Sequence, residues 1–189
     1  MNDYHIEQNR SMPGYNSFVS HLKTFPLAIS FPERVTAIPV PFAPDNSLCV
    51  NFKKPNTLPS VAVTRWVLEW SDNFILYNDF LEGREDLVWL AKRNMDYGKG
   101  KPYYPWGHYE FAEKTGGIFP KPKASSISPA LSRVVHVTYQ ELDKQRQGQR
   151  IFCQRTGDPR NIFWTILLEP DAEVNDSEFK HMLLSLRWL

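Results

Sequence analysis

The sequence predicts an α+β fold: a mostly antiparallel sheet with helices packed on one face and one long loop rich in glycine, proline and aromatic residues. Three observations predict it. Ser60–Trp70 alternates with a period of two, Gln149–Arg155 and Asn161–Leu168 flank a Thr156-Gly157-Asp158-Pro159 turn, and the stretch from Asn175 carries helical spacing behind a capping box. A chain of 189 residues is long enough for one domain, 1–189, to bury its core without disulfide or metal staples.

Residues 1–17 are polar and read as a flexible amino-terminal arm. Phe18–Phe52 is broken by Pro26, Pro32, Pro39, Pro41 and Pro44, a density that forbids helix and confines strands to edges or short pieces. Leu27–Phe31, Val35–Val40 and Leu48–Phe52 are expected as such strands. In Ser60–Trp70 the residues Ala62, Thr64, Trp66, Leu68 and Trp70 alternate with Val63, Arg65, Val67 and Glu69, which predicts a longer strand. The Ser71-Asp72-Asn73 turn then predicts Phe74–Phe80 as its hairpin partner. After Gly83 the spacing of Leu87, Leu90, Ala91 and Met95 predicts a helix, with Glu85 and Asp86 leading and Lys92 and Arg93 trailing as the helix dipole favours.

Residues 96–132 hold Gly98, Gly100, Gly107, Gly116 and Gly117 among several prolines and read as a long loop, with a short helical turn at His108–Glu113. Arg133–Tyr139 alternates as a strand, and Tyr139–Gln147 is expected as one or two helical turns. The second hairpin follows. The last element is a helix in which Asn175 and Glu178 form the capping box and Phe179, Met182, Leu183, Leu186 and Leu189 form the apolar stripe.

The formal net charge of +1 excludes a surface coated in basic charge, so attraction to nucleic acid or membrane has to come from local segregation. Such segregation exists between Ala91 and Ala124. There Lys92, Arg93, Lys99, Lys101, Lys114, Lys121 and Lys123 are interleaved with Tyr97, Tyr103, Tyr104, Trp106, Tyr109 and Phe111. Cations attract phosphates, rings stack on unpaired bases, and glycines allow close approach of the main chain. Lys99, Lys101, Tyr103, Tyr104 and Trp106 are the candidate binding residues, assisted by Arg146, Arg150 and Arg155 from a second basic run that also holds Lys144 and Arg160. The expected function is therefore non-catalytic binding of single-stranded RNA or DNA, as in a ribonucleoprotein subunit.

Other readings of the same residues stay open. The rings of Tyr103, Tyr104 and Trp106 fold back onto the core and leave the lysines merely solvated, or they anchor a protein partner, as in an inhibitor or adaptor module. Glu69, Asp72, Asp79, Glu82, Glu85 and Asp86, with Asp171, Glu173, Asp176 and Glu178, make the molecule electrically two-sided and offer an acidic docking face.

Catalytic readings find little in the sequence. His108 and Glu110 are two apart, a spacing at which they do not meet on a helix; His136 reads as a satisfied, half-buried strand residue. Cys49 and Cys153 read as small apolar fillers with no metal spacing. Gly98-Lys99-Gly100-Lys101 lacks the strand-to-helix setting of a phosphate loop. No cofactor, no metal and no membrane partner are expected. The absence of an apolar leader in residues 1–17 and the two thiols predict a cytoplasmic protein.

Overall fold

The computed structural model describes residues 3–42, 47–68, 78–91, 109–111, 133–141 and 146–189. They form two antiparallel sheets. The smaller comprises β1 (Tyr4–Gln8), β2 (Tyr15–Ser20), β3 (Leu27–Pro32) and β11 (Arg187–Trp188), in the order β1-β2-β3-β11. The larger comprises β4 (Thr36–Phe42), β5 (Ser47–Lys53), β6 (Val61–Val67), β7 (Tyr109–Phe111), β8 (Arg133–Glu141), β9 (Gly148–Gln154) and β10 (Ile162–Leu168), in the order β4-β5-β6-β10-β9-β8-β7. Two helices carry labels, α1 (Asn78–Leu81) and α2 (Asp176–Ser185); residues 87–91 are also helical.

Alternation in the strands divides the core in two. Val61 and Val63 of β6, Ile151 and Cys153 of β9, and Trp164 and Ile166 of β10 share one apolar cluster with Phe18, Leu27, Ile29 and Phe31 of the smaller sheet. The sheets therefore face each other. Ring pairs cross the gap: Phe31 with Phe52 at 5.1 Å, Phe25 with Trp164 at 5.1 Å, and Trp164 with Trp188 at 4.8 Å between centroids. The opposite face of the larger sheet presents Val135, Val137, Phe152, Phe163 and Leu167, and these are covered by Phe80, Leu87, Leu90 and Ala91. β10, covered on both faces, is buried along its whole length, and its sequence is accordingly apolar but for Thr165, whose hydroxyl accepts from Trp66 Nε1 at 2.8 Å.

Edges and ends have local causes. Pro39 and Pro41 stand two apart in β4, the border strand beside β5. Lacking N–H groups, they fit where the amide side faces away from the partner, which strips that border of donors. The β9–β10 hairpin turns at Gly157, whose φ of +92° a side chain would strain. Asp158 in that turn accepts the Trp164 Nε1 proton at 2.9 Å. In α2 the capping box forms in full: Asn175 Oδ1 accepts from Glu178 N at 3.0 Å and Glu178 Oε2 from Asn175 N at 2.9 Å.

The antiparallel pairing and the terminal helix match the sequence reading, whereas two facing sheets stand where one was expected, and further expectations are corrected. The described helices do not share one face: α2 joins the first cluster, α1 and residues 87–91 the second. An apolar stripe marks a helix for burial but does not say which side of a doubly covered sheet it takes. Residues 1–17, expected as a flexible arm, contribute β1 and the start of β2; their polarity reflects an edge position with β1 mostly exposed. Phe74–Phe80 is not the hairpin partner of β6, whose neighbours are β5 and β10; of that stretch, residues 78–80 are helical and the rest lies outside the described residues. Tyr139–Glu141 continues β8 where helix was expected, and Tyr109–Phe111 pairs with it as β7. α2 stops at Ser185, after which Leu186 is extended and still buried, and Trp188 reaches the core from β11.

Candidate functional site

The basic aromatic segment is known by its two attachments. Lys99, Lys101, Tyr103, Tyr104, Trp106 and His108 lie outside the described residues, as does all of 96–132 except Tyr109–Phe111. On the near side, the Asp86 carboxylate accepts from Val88 N at 2.9 Å and Trp89 N at 3.1 Å, an N-cap that starts the helical residues 87–91. Leu87, Leu90 and Ala91 then bury against the second face of the larger sheet. α1 is held to the same face by Arg160, whose guanidinium donates to Phe80 O and Glu85 O and lies 4.8 Å from the Phe80 ring. On the far side, Tyr109–Phe111 pairs with Tyr139–Glu141 at the border of that sheet. Residues 92–108 thus connect a packed helical turn to a border strand.

The three candidate arginines do not form one stripe. Arg150 lies opposite Val137 and Leu167, both in the second cluster, so it shares the face from which residues 92–108 depart; it is half-buried. Arg146 turns to the start of α2, donating to Ala172 O at 3.0 Å, Val174 O at 2.8 Å and Asp176 Oδ1 at 3.2 Å. Arg155 sits 5.7 Å from the ring of Trp188, which packs on the first cluster. Positive charge was legible in the sequence; the partners that fix each guanidinium were not. The acids near the end are likewise engaged: Glu178 with Arg34 at 2.5 Å, Glu173 with Lys54 at 2.8 Å, and Asp176 with Arg146. The Arg34 hydrogen bond, reinforced by the Asn175 N–H, holds the Glu178 carboxyl below its ordinary pKa.

The titratable groups singled out in the sequence have structural settings. Gln149 Nε2 donates to Asp176 Oδ1 at 3.0 Å and turns its carbonyl oxygen to His136 Nε2 at 3.0 Å, so the imidazole donates there. Burial lowers the His136 pKa, partly offset by that bond. Cys153 is fully buried, and burial together with the Asp158 charge pushes its thiol up to about 12. Burial also raises Cys49, against a hydrogen bond from Thr64 at 3.2 Å. Neither thiol is set up as a nucleophile.

A feature the sequence reading missed lies on the outer face of the smaller sheet. Glu7, Ser17 and Ser30 stand in one cross-strand row, and Ala28 with Arg187 in the next. Small residues on the floor leave a groove of about 670 Å³. Its walls are tied to Ser30 from both sides. Asn9 Nδ2 donates to Ser30 Oγ at 2.7 Å while Asn9 Oδ1 accepts from Ser11 Oγ at 2.7 Å; opposite, Ser185 Oγ accepts from Ser30 N at 2.8 Å and donates to Met182 O at 2.7 Å. Ser17 and Ser30 alternate with Phe18 and Ile29 in the sequence, a signal hidden by reading residues 1–17 as an arm.

Among the described residues no helix is long and apolar enough to cross a membrane. Compared with known proteins, the chain matches no family model and no curated sequence.

Proposed function

We propose that this protein binds single-stranded nucleic acid through residues 92–108, with Lys99 and Lys101 meeting phosphates, Tyr103, Tyr104 and Trp106 stacking on bases, and Arg150 adding charge from the adjacent sheet face. The observation that carries the reading is the composition of a connection whose two ends are fixed to one sheet, at residues 87–91 and at β7. Arg146 and Arg155 are left out of the interface because they lie towards the α2 start and towards Trp188 on the first cluster, away from that face. Ion pairing of Glu173, Asp176 and Glu178 weakens the rival reading in which an acidic face docks on a protein. The proposal places the protein in the cytoplasm, in keeping with two free, buried thiols.

A binding series with single-stranded RNA, single-stranded DNA and duplex between about 50 and 200 mM salt tests it. Affinity for single strands falls steeply with salt, and Lys99→Ala with Lys101→Ala flattens the log–log slope by about 1.4. Trp106→Ala costs about 1–3 kcal/mol where its ring stacks. Absence of any single-strand binding at the lower salt refutes the proposal, and salt-insensitive capture of a protein lost in Trp106→Ala replaces it with the adaptor reading.

A further inference from the structure

The groove on the smaller sheet has the chemistry of a ligand site on the far side of the molecule's first core from residues 87–91. Its floor is recessed: Ala28 is 3% and Ser30 5% exposed although both sit on the sheet face turned away from the core. Arg10 enters from the 9–11 turn and Arg187 from β11. Neither guanidinium has a hydrogen bond or ion pair among the described residues. Glu7 is the groove's acid, so two cations stand against one carboxylate. Ser11, Ser17, Ser30 and Ser185 supply half of the remaining lining, beside Gln8, Asn9, Ala28 and Ile29. Such a lining rejects an apolar ligand and favours an anion that also carries hydroxyls, and the volume suits a small metabolite. The guanidinium fork matches phosphate oxygens two at a time.

We propose that this groove binds a small hydroxylated phosphate of the sugar-phosphate class, with the phosphate between Arg10 and Arg187 and the hydroxyl groups on Glu7 and the serine row. Asn9 and Ser185 set the walls before the ligand arrives, since both are already bonded to Ser30. The site is independent of the nucleic-acid reading.

Backbone amide NMR of the full chain titrated with ribose 5-phosphate, inorganic phosphate and ribose tests the assignment. Ribose 5-phosphate is expected to shift the amides of residues 7–11, 17, 28–30 and 185–187 and to bind at least about tenfold more tightly than phosphate, with ribose alone inert. Arg187→Ala weakens binding at least about tenfold, Arg10→Ala does likewise, and Arg187→Lys restores part of it. Lys99→Ala with Lys101→Ala leaves it unchanged, which separates this site from residues 92–108. No shift at those amides up to about 10 mM ribose 5-phosphate overturns the site, ribose binding as tightly overturns the phosphate assignment, and phosphate binding as tightly overturns the sugar assignment.

Discussion

Removing the Arg146 side chain separates a structural arginine from a phosphate-binding one. Its guanidinium holds Ala172 O, Val174 O and Asp176 Oδ1, tying the chain before β9 to the turn that starts α2, and its side chain is 28% exposed. A hydrogen bond from a charged donor is worth about 1.5–3 kcal/mol when fully buried, and the partial exposure of this guanidinium brings each of the two carbonyl bonds down towards the neutral range of about 0.5–1.5 kcal/mol. The Asp176 contact adds only a few tenths, about 0.3 kcal/mol, because that carboxylate is 66% exposed and water screens it. Arg146→Ala is therefore expected to cost about 2 kcal/mol, which for a domain of this size lowers Tm by about 4–8 °C. Urea unfolding followed by circular dichroism measures the first, and the salt slope of single-strand binding should stay at the wild-type value. Stability within about 0.5 kcal/mol of wild type, together with a slope reduced by about 0.7, would refute the structural assignment and return Arg146 to the interface.

Two further outcomes follow from buried groups. His136 has a folded pKa below its ordinary 6.5, so the unfolded chain takes up a proton that the folded chain resists; stability falls as pH drops below about 6.5 and levels off below the folded pKa. His136→Gln should flatten that part of the profile in urea melts from about pH 7 to 5, and identical profiles would remove the half-buried imidazole from the account. Cys49 and Cys153 should resist a thiol-specific disulfide reagent at about pH 8 in the native protein and both react in urea, whereas rapid native labelling of Cys153 would contradict its burial.

The sequence was most readable where one physical demand acted alone. Leu27–Phe31, Val35–Val40 and Leu48–Phe52 came through as β3, β4 and β5 because proline had already excluded helix, and Asn175 with Glu178 announced α2 because a capping box has few other uses. It was least readable where partners distant in the chain decide. β6 reads as half of a hairpin with the residues after it, yet its neighbour is β10, some hundred positions away. Tyr139–Glu141 has no helix-breaking residue and becomes strand because β7 pairs with it. For the candidate site, residue type gave the charge of Arg146, Arg150 and Arg155, but the face each one takes depends on α2, the second cluster and Trp188.

The union of β6 with β10 at the middle of the larger sheet has a consequence for biogenesis. While the protein is being synthesised, β4, β5 and β6 emerge with the β10 side of β6 vacant, and nothing made before residue 162 fills it. The nascent chain must therefore wait with a bare, valine-rich ribbon until residues 162–168 leave the ribosome, an interval in which it would be a natural client for a holding chaperone.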